Sequence, residues 1–275
     1  MTASALRLGA VALTVTGLDR SVAFYQDSLG LRLHRREGSV AALGAGDEDL
    51  VVLHEEPRAR PAGRHAGLYH FALLYPSREQ LAHALRRLVA TGSPISGASD
   101  HGVSEAIYLP DPDGNGIELY ADRPQDAWPP PAPGERVGMF TRALDTQDLL
   151  ATVAGSEPAR HADPGLRMGH MHLHVGDVEV AREFYAGAIG FETMAAYPGA
   201  LFLAVGGYHH HLGVNTWRGE GVGPAPPATV GLREWTILLD PAALAAAGLG
   251  DGELIVDPWG IPLRIAAARI DLTKA

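Results

Sequence analysis

LGAVALTVTGLDRSVAFYQDSLGL, residues 8–31, and MGHMHLHVGDVEVAREFYAGAIGF, residues 168–191, align without a gap at a constant offset of 160 (168 − 8). Gly9 falls on Gly169, Val15 on Val175, Tyr25 on Tyr185 and Gly30 on Gly190. An ungapped match of this length points to duplication of one supersecondary unit. Each copy opens with alternating apolar residues (Val11, Leu13 and Val15 in the first), which predicts a half-buried strand. A short turn follows. An amphipathic helix comes next, carrying Val22, Phe24 and Tyr25 in one copy and Ala181, Phe184 and Tyr185 in the other. Gly30 and Gly190 stand where a helix ends in the left-handed conformation. Strands are predicted to follow in both, VAALGA (40–45) and LVVLH (50–54) in the first, ALFLAVGG (200–207) and HHHLGVN (209–215) in the second.

Each half holds a second unit of the same order. GLYHFALLY (67–75) precedes a predicted helix, SREQLAHALRRLVATG (77–92), with Leu81, Leu85 and Leu88 on one face, and then strands ending in EAIYLPDPDGNGIELYA (105–121). GLREWTILL (231–239) precedes a short Ala-rich helix and the closing segment DGELIVDPWGIPLRIA (251–266). DPDGNG and DPWG read as tight turns between two strands. The chain therefore divides into four strand–helix–three-strand units, at about 6–56, 67–122, 167–217 and 230–268. These make an N-terminal domain (1–122) and a C-terminal domain (167–275). The linker between them, 123–166, is marked by DAWPPPAPGER and AGSEPARHADPG. Its middle, LDTQDLLATV (144–153), predicts a short helix.

Composition narrows the function. A net charge of −10 argues against nucleic acid or an anionic membrane as partner, since both want a basic face. With no cysteine in 275 residues, disulfides, thiolate metal sites and cysteine nucleophiles are excluded. A metal here must take His and carboxylate ligands, a choice that suits iron, manganese or zinc. No apolar run approaches a membrane span, and the N-terminus lacks the basic start and long apolar core of a signal peptide, so a cytoplasmic location is expected.

Four βαβββ units with this opening phrase resemble the vicinal-oxygen-chelate superfamily of glyoxalases, fosfomycin- and bleomycin-resistance proteins and type I extradiol dioxygenases. GLYHFALLYPSREQL (67–81), DHGVSEAIYLPDPDGNGIELYADRP (100–124) and GGYHHHLGVNTW (206–217) are similar to its catechol 2,3-dioxygenase subfamily. The resemblance implies an α+β fold in which four βαβββ modules form two curved mixed sheets. It also implies two ligand places per unit, on the first and last strands. By that pattern unit two offers His70 and Glu118, and unit three offers His170. The matching place in unit one is Ala10, and the places in unit four lie near Glu234 and Arg264, which cannot ligate a cation. The implied ligand set is His70, Glu118 and His170, with the halves pairing across the linker. Side-chain alternation agrees, because Glu118 stands between Ile117 and Leu119, and a carboxylate buried there needs a partner.

Two histidines and one carboxylate on one side of an ion form the facial triad of non-haem Fe(II) oxygenases; Mn(II) fits the same ligands, and zinc fits but does not activate O2. The resemblance then implies ring cleavage of a catechol-type substrate by O2, with His210 as acid/base and Tyr108 and His101 beside the substrate. His209 and His211 would share one strand face and His210 the other, so the member of the triplet that acts stays open. The expected partners are a small aromatic diol and O2, and a homo-oligomer is compatible with the sequence. A metal-dependent lyase or isomerase, and a drug-binding protein without metal chemistry, are the competing readings on the same scaffold.

Overall fold

A computed structural model describes residues 6–157 and 159–268. Unit one comprises β1 (Leu6–Val15), α1 (Leu18–Asp27), β2 (Arg32–Glu37), β3 (Val40–Ala45) and β4 (Glu48–Glu55). Unit two comprises β5 (Gly67–Leu74), α2 (Arg78–Ala90), β6 (Gly97–Asp100), β7 (Ser104–Pro110) and β8 (Gly116–Asp122). The linker contributes β9 (Arg142–Ala143) and α3 (Thr146–Ala151), the latter inside the segment predicted as a helix. Unit three comprises β10 (Arg167–His174), α4 (Val178–Ile189), β11 (Glu192–Tyr197), β12 (Ala200–Ala204) and β13 (Leu212–Asn215). Unit four comprises β14 (Gly231–Leu239), α5 (Pro241–Ala246), β15 (Glu253–Val256) and β16 (Pro262–Ala267). The fold is α+β, with two curved mixed sheets.

Two local expectations are corrected. Among the described residues, unit four carries two strands after its helix, not three. Only residues 247–252 separate α5 from β15, and Gly248 and Gly252 both turn the chain at positive φ (67° and 80°), which leaves no length for a further hairpin. The histidine triplet precedes β13 instead of lying on it. Gly206 and Gly207, at φ 66° and 78°, end β12 and turn the chain, so strand alternation does not govern His209–His211. The predicted left-handed glycines are present, Gly190 at φ 77° as the C-cap of α4 and Gly30 at φ 76° just beyond α1.

The sheets are assembled across the linker. One has the order β15-β16-β14-β1-β4-β3-β2 and contains units four and one; the other has the order β11-β12-β13-β10-β5-β8-β7-β6-β9 and contains units three and two. The junctions are the antiparallel pairs β1–β14 and β10–β5. Within each half a different link holds the units together. Tyr25 on α1 donates its hydroxyl to Asp111 in the DPDGNG turn (3.2 Å), and Tyr185 on α4 donates to Asp257 in the DPWG turn (3.0 Å). The repeated tyrosine thus clasps the first unit of each half to the closing turn of the second.

Strand periodicity sorts the faces of the second sheet. Phe71, Leu73, Ile117, Leu119, Met171 and Leu173 join the main apolar core with helix residues such as Leu81, Leu85, Ala181 and Tyr185. The alternate positions, His70, Ala72, Glu118, Tyr120, His170 and His172, form the opposite, polar face. Among the described residues no helix is long and apolar enough to cross a membrane.

Because β1 and β5 find their antiparallel partners only in the other half, a fragment of residues 1–122 exposes two long unpaired edges. It is expected to run as a dimer or aggregate in size-exclusion chromatography with light scattering; a cooperatively folded monomer would contradict the cross-linker assembly.

Candidate metal centre

Three adjacent strands build the site. His170 on β10 pairs across the ladder with Ala72 on β5, and Ala72 pairs with Glu118 on β8. Ala72 therefore lies between the two on the same face, and its single methyl group leaves the space above it open. His70, two residues away on that face, leans into the same space. His70 Nε2 and His170 Nε2 each lie 3.0 Å from Glu118 Oε2. One ligating atom from each of the three residues falls within 4.8 Å of the other two. Gly169 makes the approach possible, because a Cβ there would sit 2.0 Å from the Tyr120 hydroxyl.

These residues suit a metal ion. All three are buried, and His70 Nε2, despite its proximity to the carboxylate, has no hydrogen-bond partner among the described residues. Burial raises the Glu118 carboxyl, but His170 and then His70 more than offset it and hold it well below the usual carboxylate range. Burial lowers His170. A buried carboxylate beside two imidazole nitrogens is the donor set a divalent cation takes. Ligand bonds of about 2.1 Å at right angles span about 3.0 Å, the spacing of both imidazoles from Glu118 Oε2.

The site forms one wall of a cavity of about 610 Å³. His210 lines it, with its ring 4.1 Å from that of His170. Burial, followed by His170, lowers the His210 pKa well below its ordinary value. Tyr108 sits directly across the β7–β8 ladder from Glu118, because the DPDGNG turn closes that hairpin. Burial and the Glu118 charge push the Tyr108 phenol well up, so it keeps its proton. His101, in the turn between β6 and β7, lies 2.7 Å from the Tyr108 hydroxyl through Nε2 and 3.1 Å from the Phe140 carbonyl through Nδ1. A carbonyl only accepts, so Nδ1 carries the proton and Nε2 accepts from Tyr108. His70, Glu118, His210, Tyr108 and His101 line this one cavity, and His170, fully buried, packs against Glu118 and His210 beside it.

Other lining residues were not singled out from the sequence. Met139, Phe140 and Thr141 of the linker close one side. They are held there by Tyr197, which donates to the Met139 carbonyl (3.1 Å), and by the β6–β9 pairing. His172, Tyr69 and Phe202 line the cavity with Trp217, which is exposed at its mouth. Trp235 is instead fully buried in the core of the first sheet, and Trp128 packs against His209. His54 lies on β4, in the other sheet. There the corresponding ligand places hold a salt bridge. Arg264 donates to both carboxylate oxygens of Glu234 at 2.6 Å, so a guanidinium supplies the cation.

Residues 7–119 match the model of the Glyoxalase/Bleomycin resistance protein/Dioxygenase superfamily. The chain is also 43% identical over 237 residues to a Bacillus subtilis protein named Catechol-2,3-dioxygenase, covering 84% of this chain and 82% of that one. The chain belongs to the glyoxalase/bleomycin resistance protein/dioxygenase superfamily. Solved structures share its fold at low identity. Glyoxalase I from Zea mays superposes with a TM-score of 0.57 at 19% identity over 95% of this chain and 92% of that chain. The cppA protein of Streptococcus pneumoniae gives 0.55 at 14%, over 95% and 100% respectively. In this superfamily member the second sheet carries the His70–Glu118–His170 cluster, and the first carries the Glu234–Arg264 pair.

Divalent metal is expected to raise the melting temperature, by about 2.7 kcal/mol of added stability at a hundredfold excess over Kd. Ala72→Leu keeps all three ligands but fills the space above the sheet, and should weaken metal binding roughly 100-fold by calorimetry; unaltered affinity would refute this account of the site. The buried imidazoles also predict acid sensitivity of the metal-free chain. Burial lowers His174 to about 4 and His211 to about 3, against 6.5 for an unburied histidine. Below pH 6.5 the unfolded chain binds protons that the native chain refuses, so this stability is complete above 6.5 and drains away toward about 4 and about 3. The denaturant midpoint should fall steadily on acidification across that window.

Proposed function

We propose that the protein is an extradiol dioxygenase that opens a catechol-type ring with O2, with Fe(II) held by His70, Glu118 and His170; Mn(II) suits the same ligands. The observation that carries this reading is the one-sided ligand set. All three groups rise from one face of one sheet, and the remaining side of the site is a cavity of about 610 Å³ walled by Tyr69, Phe140, Phe202 and Trp217. Bound there, Fe(II) would hold both substrate oxygens and O2 on one ion and supply electrons to O2. The 43% identity to a protein named Catechol-2,3-dioxygenase supports the same reading.

The protein's own groups suit the proton steps. His210 presents a neutral imidazole to the cavity, where it can take a proton from a diol hydroxyl and later return it. Tyr108 keeps its phenolic proton and donates it to His101 Nε2, which leaves the phenol oxygen to accept from a substrate hydroxyl. The aromatic walls hold the ring by its faces and edges and exclude water from the ligand cluster.

Iron-loaded protein given catechol under air should form a yellow ring-opened product and consume O2, and an iron chelator should stop both. His70→Ala and Glu118→Ala should lose iron and product together, whereas His210→Ala should retain iron and lose roughly 10²- to 10⁴-fold in kcat. Protein holding stoichiometric iron that consumes no O2 with any of a panel of catechols would end this reading.

A further inference from the structure

His210 is the end of a hydrogen-bonded chain that runs away from the cavity. Its Nδ1 lies 2.8 Å from Nδ1 of His209, and Nε2 of His209 lies 2.9 Å from Oδ1 of Asp122. The His209 side chain is wholly buried, while that of Asp122 is a quarter exposed, so the chain leads from the cavity wall to solvent. A second arm fixes the carboxylate, with Tyr208 donating to Asp122 Oδ2 (3.0 Å) and Tyr120 lying 2.8 Å from the Tyr208 hydroxyl. Rings hold His209 from three sides, namely Tyr208 at 4.1 Å, Trp128 at 5.6 Å and Tyr120 at 6.1 Å between centroids.

The proton positions follow from donor and acceptor roles. A carboxylate only accepts, so His209 carries a proton on Nε2. A neutral His209 then has a bare Nδ1 and must accept from His210 Nδ1–H. That leaves the second nitrogen of His210, Nε2, unprotonated on the side of the cavity. No described residue hydrogen-bonds to it.

We infer that Asp122 and His209 are positioning residues that fix His210 as the Nδ1–H tautomer, presenting Nε2 to the cavity as a proton acceptor for a hydroxylated substrate. The inference rests on the proposed role of His210. Proton balance closes along the chain. A proton reaching His210 Nε2 is matched by Nδ1–H passing to His209 Nδ1 and His209 Nε2–H passing to Asp122, whose exposed carboxyl releases it to water. The return path runs the same steps in reverse. The arrangement places a carboxylate behind two imidazoles, one link longer than a carboxylate–histidine pair.

Two measurements test it. In the full-length, metal-free, ¹⁵N-histidine-labelled protein, long-range ¹H–¹⁵N spectra should report His209 protonated on Nε2 and His210 on Nδ1. Protonation of neutral His210 on Nε2, as it would be beside a doubly protonated His209, overturns the inference without any activity assay. In Asp122→Asn the amide oxygen stays with the donating Tyr208 hydroxyl and the NH2 faces His209, a donor where the acceptor was, which should reverse both tautomers. In the iron-loaded enzyme it should then lower kcat roughly 100-fold with KM nearly unchanged, and Asp122→Glu should recover part of the loss. If Asp122→Asn keeps both tautomers and a kcat within twofold of the parent, the chain does not position His210. If the parent turns over no catechol, the functional reading fails, and the tautomer spectra still decide this inference.

Discussion

A carboxylate with almost no access to water stands near the middle of a nine-stranded sheet, and the construction around it makes that tolerable. An ionised group removed from water costs several kcal/mol unless charge or hydrogen bonds replace the lost hydration. Glu118 receives that replacement from His170 and His70, each 3.0 Å from the same oxygen. The third element is space. Ala72 on the intervening strand, and Gly169 with no side chain against Tyr120, let the three groups converge where larger residues would hold them apart.

The same constraint explains how the duplicated units have diverged. In the first sheet the carboxylate at these places, Glu234 on the first strand of unit four, is satisfied through two hydrogen bonds by Arg264 on its last strand. A guanidinium is a permanent cation with fixed geometry, so that place is neutral and complete. In the second sheet no such cation is built in, and the imidazoles leave one side facing a cavity. Duplication supplied two similar surfaces, and one substitution pattern made a scaffold of the first while the other remained a site. The Tyr25–Asp111 and Tyr185–Asp257 clasps persist in both halves, because they join units and do not depend on what either sheet binds.

The linker does more than connect the halves. Its segment 139–141 closes the cavity, and its Phe140 carbonyl sets the tautomer of His101. Low sequence complexity around DAWPPPAPGER marks a connection but carries no sign of this, since the contacts are made by backbone carbonyls, which every residue possesses. The Asp122–His209–His210 chain was hidden for a related reason. Asp122 lies four residues beyond Glu118 in sequence, and only the pairing of β5 with β10 brings unit three's turn against it.

Sequence alone determined the repeat, the helix and strand order of the first three units and the left-handed glycines, because each is written in local periodicity or turn chemistry, whereas His70, Glu118 and His170 were implied by the resemblance of their phrases to a known family. It misjudged unit four by one strand, and it placed the histidine triplet on a strand. There two successive glycines and side-chain hydrogen bonds outweigh the alternating pattern. Only the tertiary structure decided which surfaces meet. It bore out the pairing of the halves across the linker that the resemblance implied and set its register, laid Ala72 between His170 and Glu118, turned His210 toward the cavity and His209 toward Asp122, and gave the linker a wall to form. These outcomes depend on contacts between residues far apart in the chain, Ala72 with His170 and Leu6 with Leu239 among them, whose geometry is set by strand register, and no local pattern encodes register between distant strands.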